Sequence, residues 1–201
     1  SVLDSLYTLG FNYPKRGKFF RSEFAQFIKL SKQQNWNIKD VKGSYAGAMG
    51  LGQFISSSYL NYGVDFSGDG YIDMINDPSD AIGSIANYFN KHRWRDGEAV
   101  AYPVSLAANT DTSELLHKSL KISDTWGDLQ EAGIKLNDSS YSSLITTDTP
   151  AKLLKLQQDS NDEYWVYFDN FYTITRYNHS PLYAMAVFQL SEKIKQAKNA
   201  K

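Results

Sequence analysis

Cysteine is absent from the 201 residues. Disulfides, thiolate metal sites and a thiol nucleophile are therefore excluded, although the compartment is not fixed, because an oxidising environment permits bridges without requiring them. An excess of one charge is also lacking: 21 Lys and Arg stand against 22 Asp and Glu, a formal charge of -1, with a pI near 6.3. A polyanion-binding surface needs clustered cations, so no nucleic-acid partner is expected. No apolar run reaches the ~18 residues of a membrane span. Ser1-Val-Leu-Asp-Ser-Leu6 has neither the charged start nor the long apolar centre of a signal peptide. No membrane contact is expected from this segment, and no internal repeat or low-complexity tract is present.

What is there is enough chain for one domain, or one domain with a small lobe, and for a sizeable core. The chain opens inside an apolar helical pattern, Val2, Leu3, Leu6 and Leu9, with no capping approach, which reads as a start cut into a longer parent. Phe20, Phe24, Phe27 and Ile28 fall at helical spacing, as do Ile82, Ile85, Ala86 and Phe89, and both stripes are expected to be core. The second helix should begin after Pro78, weaken after the Lys91-His-Arg93 cations and stop near Gly97. Beyond it, Ala99–Val104 and Tyr164–Phe168 read as short strands, Ala151–Leu156 as a weaker one, with a helix near Ser123–Glu131. Pro103 confines its strand to an edge or its own strand end. A final helix over Pro181–Lys198 carries the stripe Tyr183, Val187, Leu190 and Ile194.

The densest information lies in Gly43-Ser-Tyr-Ala-Gly-Ala-Met-Gly-Leu-Gly-Gln-Phe54 and in Asp65-Phe-Ser-Gly-Asp-Gly-Tyr-Ile-Asp73. Glycine weakens a helix interior, so Gly47, Gly50 and Gly52 imply close backbone approach, to a ligand or to another helix. Together with Leu3-Asp-Ser-Leu-Tyr-Thr-Leu-Gly-Phe-Asn-Tyr-Pro-Lys-Arg16, Asp80–Phe89, Asn170–Ser180 and Tyr183–Val187, these blocks resemble, in family order over nearly the whole chain, the membrane-bound lytic murein transglycosylase B family. The resemblance implies an α+β fold: a mainly helical lysozyme-like core with an EF-hand-like calcium loop and a small β-containing insertion. It divides the chain into a glycine-rich helical core over 1–98, a sheet-containing segment over 99–169 and a return to the core over 170–201.

The carboxylate loop matches the first nine positions of a calcium loop: side-chain oxygens at Asp65, Ser67, Asp69 and Asp73, Gly70 at position six and Ile72 at eight. It departs at position twelve, where Asn76 replaces the bidentate glutamate. The pattern by itself is equally compatible with a polar turn, in which Asp65 and Asp69 satisfy backbone amides and Asp80 favours the first turn of the next helix. The resemblance implies a structural calcium held by Asp65, Ser67, Asp69, the Tyr71 carbonyl and Asp80.

Lytic transglycosylases break the bond between N-acetylmuramic acid and N-acetylglucosamine with one glutamic acid, which protonates the leaving oxygen and then takes a proton from the sugar's own 6-hydroxyl, giving a 1,6-anhydro sugar. The family's Glu-x-x-aromatic-Gly motif has no match here: Glu23, Glu98, Glu114, Glu131, Glu163 and Glu192 all lack that context. No catalytic acid is assigned within the chain; it is expected upstream of Ser1, and Glu23 reads as an exposed helix residue. Ser44 matches the serine that supports the acid, although the residues alone favour a helix cap. The resemblance places Gln53, Tyr88, Tyr177, Asn178 and Tyr183 with Ser44 against the sugar. Tyr88 lies off the Ile82 stripe and so suits a cleft, whereas Tyr183 shares the stripe of Val187 and suits core equally. Lys15, Arg16 and Arg176 could meet muropeptide carboxylates, and His179 is explained as well by a local hydrogen bond as by proton transfer.

Three functions follow. The first is a peptidoglycan lytic transglycosylase, present as a part without its acid, acting on glycan strands in the periplasm, with any outer-membrane anchor outside these residues. The second is a calcium-braced module binding peptidoglycan or chitooligosaccharide without catalysis, and the third a hydrolase of the goose-type lysozyme kind.

Overall fold

The computed structural model describes residues 1–116, 119–159 and 161–200. The chain forms two compact units, Ser1–Lys91 and His92–Lys201.

The first unit is built from α1 (Val2–Phe11), α2 (Gly17–Gln33), α3 (Ser56–Tyr62) and α4 (Pro78–Lys91). Contrary to the uncapped start read from the sequence, Ser1 and Asp4 form a reciprocal capping box at the head of α1. On α2 the inward positions are Phe20, Glu23, Phe27, Leu30 and Ser31, while Ile28 is exposed. The buried row follows i, i+3, i+7, i+10, so Glu23 takes an inward place and Ile28, expected in the core stripe, faces solvent. A larger departure occurs on α4, where Ala81, Gly83, Ser84 and Tyr88 are buried and Ile82 is 65% exposed. Small residues decide this face. A Cβ on Gly83 would lie 2.6 Å from the Cγ of Phe66, and Ser84 Oγ accepts the Val64 N–H at 3.0 Å. Tyr88 is consequently buried between Phe54 and Tyr62, ring centroids 6.0 and 4.8 Å away, rather than lining an open cleft.

The glycine-rich run is not a helix. Residues 43–54 form successive turns closed by a bridge between Met49 and Phe54. Gly47 and Gly50 have φ of 80° and 68°. A Cβ on Gly47 would meet Leu6 Cδ2 at 2.6 Å, and one on Gly50 would run into the Met74 carbonyl. The close approach expected of these glycines is therefore to α1 and to the chain after the carboxylate loop.

The second unit contains a five-stranded antiparallel sheet in the order β2-β4-β5-β1-β3, from β1 (Ala101–Leu106), β2 (Asp124–Thr125), β3 (Ile134–Leu136), β4 (Pro150–Leu156) and β5 (Glu163–Tyr167). It also holds α5 (Trp126–Glu131), α6 (Asp169–Tyr177) and α7 (Pro181–Asn199). Tyr102, Val104, Leu129, Ile134, Leu153 and Val166 belong to its buried core. Pro103 does not put β1 at an edge, since β5 and β3 flank it. Its carbonyl accepts the Asn137 N–H at 3.1 Å, just before the β3 ladder begins at Val104. N–H and C=O of one strand residue point the same way, so the missing donor faces the β3 side and no β1–β5 bond is lost. On α7 only Ala184 and Met185 are buried; Leu190 and Ile194 are 59% and 60% exposed, which corrects the core stripe read there.

Candidate saccharide and cation sites

In the first unit the turn after Gly43 fixes Ser44. Its Oγ accepts the N–H groups of Ala46 and Ala48 at 3.3 and 3.1 Å, and its own N–H donates to the Ala48 carbonyl at 2.8 Å. No helix starts there, so the helix-cap reading is replaced by a serine turn. With both hydroxyl lone pairs engaged, the remaining bonding capacity of Ser44 is its O–H donor. Gln53 is exposed, with a left-handed φ of 51°. Its Nε2 donates to the Gly50 carbonyl at 2.9 Å, leaving the amide oxygen to face solvent. A left-handed glutamine is held against its own conformational preference, as are Asn35, Arg93 and Asn109. Tyr45, next to Ser44 in the chain, is 87% exposed.

In the second unit the rings of Tyr177 and Tyr183 lie parallel, 3° apart in tilt, with centroids 6.4 Å apart. Tyr183 is half-buried, and burial raises its phenol above the usual value. Asn178 is exposed at the end of α6. His179 is exposed as well.

Glu23 is not the exposed helix residue expected from spacing. It is 4% exposed, and its carboxylate accepts the Ser57 N–H at 3.0 Å in the first turn of α3, where Ile55 supplies no side-chain cap. Glu98 pairs with Arg95 at 3.3 Å. Arg16 lies over the rings of Phe19 and Phe20 at 4.5 and 5.2 Å, an interaction that accounts for it without a carboxylate ligand.

The carboxylate loop adopts the amide-satisfying arrangement. Asp65 Oδ1 accepts the N–H of Gly68 at 2.6 Å and of Asp69 at 3.2 Å, while Oδ2 takes that of Gly70 at 2.8 Å. Asp69 Oδ1 accepts the Tyr71 N–H at 2.9 Å. Asp80 is fully buried; Oδ1 accepts the N–H groups of Phe66 and Ser67 at 2.8 and 3.0 Å, and Oδ2 that of Asp73 at 2.8 Å. The Ser67 amide, aided by those of Asp73 and Phe66, holds the Asp80 carboxyl below the usual carboxylate range against the opposing pull of burial. Among the described residues no group of three or more carboxylates or histidines converges as a metal site. The donors are nonetheless all oxygen, the chemistry a hard cation requires, and Asp80 joins the loop to α4.

The Transglycosylase SLT domain family matches residues 1–192. The membrane-bound lytic murein transglycosylase B of Escherichia coli (strain K12) is 43% identical over 197 residues, covering 98% of this chain and 52% of that protein. The catenated lytic transglycosylase SltB1 of Pseudomonas aeruginosa superposes with a TM-score of 0.88 at 41% identity, over 98% of this chain and 62% of that one. The Escherichia coli lytic transglycosylase Slt35, in complex with calcium, gives 0.85 at 42% identity, over 98% and 59%. The chain thus spans about half the length of the curated relative it matches. The α+β architecture with a lysozyme-like helical core, implied by the resemblance, is that of these solved structures.

Proposed function

The chain belongs to the Transglycosylase SLT domain family, and from that premise we propose that it carries saccharide-handling parts of a peptidoglycan lytic transglycosylase that cleaves between N-acetylmuramic acid and N-acetylglucosamine to leave a 1,6-anhydro end. The observation that carries this reading is the Gly43–Phe54 turn, where Ser44 Oγ is fixed by two accepted amides and Gln53 is held left-handed and exposed. Ser44 orients the catalytic carboxylic acid, and Gln53 bonds the sugar. Tyr177, Asn178 and Tyr183 contribute aromatic and amide contacts to glycan from the second unit. The role assigned to Tyr88 is indirect, since its ring is buried: it backs Phe54 and thereby the turn.

No glutamate of this chain has the motif context of the acid, and Glu23 is engaged as a tertiary cap. The acid belongs to a segment upstream of Ser1. Calcium is a structural ligand of the loop, with Asp65, Ser67, Asp69, the Tyr71 carbonyl and Asp80 as donors, supported by the calcium in Slt35 and by the oxygen-only donor set. Peptidoglycan glycan strands are the partner and the periplasm is the compartment, in line with a membrane-bound murein relative. Among the described residues no helix is long and apolar enough to cross a membrane.

The deciding experiment is chromatography of digested sacculi. Residues 1–201 alone release little or no anhydro-muropeptide, because an acid within hydrogen-bond reach is worth about 10²–10⁴-fold. Addition of the upstream segment restores release, and its motif Glu→Gln variant abolishes it again. Products ending in reducing sugars would identify a hydrolase instead, and robust release by residues 1–201 would place the acid within this chain.

A further inference from the structure

The second unit contains a groove of about 670 Å³ running from residues 97–103 to α7. One wall carries Tyr102 and Tyr141, whose rings stack 4.1 Å apart and 9° from parallel, and Trp165 also lines the groove. Phe168 presses edge-on against Tyr102 at 5.5 Å, so this ring is held before any ligand arrives and loses little freedom on binding. The other wall is a polar row on α7: Gln189, Glu192 and Gln196, at i, i+3 and i+7. Glu192 lines the same groove as Tyr102, and burial, then Tyr141, then the Glu192 carboxylate raise the Tyr102 phenol above its usual value.

We propose that this groove binds a β-1,4-linked N-acetylhexosamine strand, with the pyranose faces on the Tyr141 and Trp165 rings and the acetamide and hydroxyl groups bonded by Gln189, Glu192 and Gln196. Three features select that chemistry. Ring faces beside carboxamides suit a ligand that is apolar on one side and hydroxylated at its rim. The groove charges cancel, Glu98 and Glu192 against Lys193 and Lys195, so a neutral ligand loses nothing to a charged one. The polar side chains advance by about one helical turn, 5.4 Å, close to the advance of one pyranose along an extended strand, so successive side chains address successive sugars. The volume lies within the range of about 300–1,000 Å³ usual for small-ligand sites. The choice of an N-acetylated sugar rests on the peptidoglycan reading above; the groove as a saccharide site does not.

The test titrates residues 1–201 with N-acetylglucosamine and its β-1,4 trimer and tetramer, following the four Trp indole N–H signals by NMR, with Trp165→Phe assigning its own. The Trp165 signal is expected to shift, and affinity to rise with oligomer length up to the trimer. Tyr141→Ala and, on the exposed helix face, Gln189→Ala with Gln196→Ala should each weaken binding by about three- to tenfold. Gln53→Ala, in the other unit, should leave the Trp165 response intact, whatever it does to binding at Ser44 and Gln53. The proposal is overturned if the Trp165 signal is unmoved by the sugars, if Gln53→Ala abolishes its response, or if a sugar-free acidic peptide shifts it and the oligosaccharides do not. Binding at the Ser44 turn that Gln53→Ala leaves unchanged would instead count against the reading of the first-unit site.

Discussion

The carboxylate of Glu23 accepts the backbone N–H of Ser57 at 3.0 Å, so a residue of α2 caps the next helix, 34 positions away. A helix N-terminus leaves its first amides without intrahelical partners and favours a negative charge nearby. Because Glu23 is nearly buried, its removal exposes a bonding deficit that water reaches poorly. Glu23→Gln keeps an acceptor oxygen and should lower stability only mildly, whereas Glu23→Ala should lower it by about 1–3 kcal/mol. Urea unfolding followed by far-UV circular dichroism measures both. Equal losses for the two variants would show that the negative charge, rather than the acceptor oxygen, is what α3 needs.

At Gly50 the constraint is steric on two counts. Its φ is 68°, and a Cβ would strike the Met74 carbonyl, a backbone atom with little room to give. Gly50→Ala should destabilise by about 1–3 kcal/mol and disturb the Leu51 N–H to Met74 carbonyl bond of 2.9 Å. Faster hydrogen exchange at the Leu51 amide is the local readout.

Gln53 predicts a trade between stability and binding. Glycine adopts a φ of 51° without the strain glutamine bears, so Gln53→Gly should raise stability by up to about 1 kcal/mol. The same change removes the exposed amide and should weaken chitooligosaccharide binding at the Ser44 turn. Thermal unfolding and calorimetric titration on one sample test both halves; unchanged affinity would remove Gln53 from the site.

Asp80 sets an acid limit on the carboxylate loop. Three amides lower its folded pKa below the value near 3.8 of an unperturbed aspartate, so the carboxylate contributes stability above that value and loses it as pH falls through the lower folded pKa. Asp80→Asn should be less stable than the parent at pH 7, and the gap should narrow at pH values below about 4. A gap independent of pH would assign the effect to shape alone.

Calcium is expected to act on the same loop. Millimolar calcium should raise the Tm of residues 1–201 relative to chelator, by mass action on the folded state, and Asp69→Ala should remove most of that rise while changing stability little in chelator. Magnesium, with its stricter geometry, should do less. The same Tm with and without calcium would refute the ion site.

A buried amide organises the second unit in the same way that Glu23 organises the first. Asn170 is 1% exposed. Its Oδ1 accepts the Arg95 N–H at 2.9 Å, and its Nδ2 donates to the carbonyls of Arg95 and Glu98 at 2.7 and 3.1 Å. Asn170→Asp replaces the donating amide with a second acceptor and should destabilise more than Asn170→Ser, which retains part of the bonding. Denaturant midpoints of the two variants give the comparison.

The sequence by itself determined the family, because its motif blocks appear in order, and the type and place of the longer elements. The helix from Pro78 ends at Lys91, where the Lys91–Arg93 cluster begins and short of the stop expected near Gly97, and the aromatic runs around Tyr102 and Tyr164 are strands. It could not show β2 and β3, two and three residues long, because so few positions carry no alternation. Nor could it choose the buried side of α2, α4 or α7. Each has apolar residues on more than one face, and burial is decided by what packs there: Phe66 against Gly83 turns Ala81 and Tyr88 inward and leaves Ile82 in solvent. The tertiary structure alone decided the roles of Glu23 and Asp80. A carboxylate on a helix looks the same in sequence whether it meets water or the unpaired amides of a segment folded against it, and only the fold brings those amides within 3.0 Å.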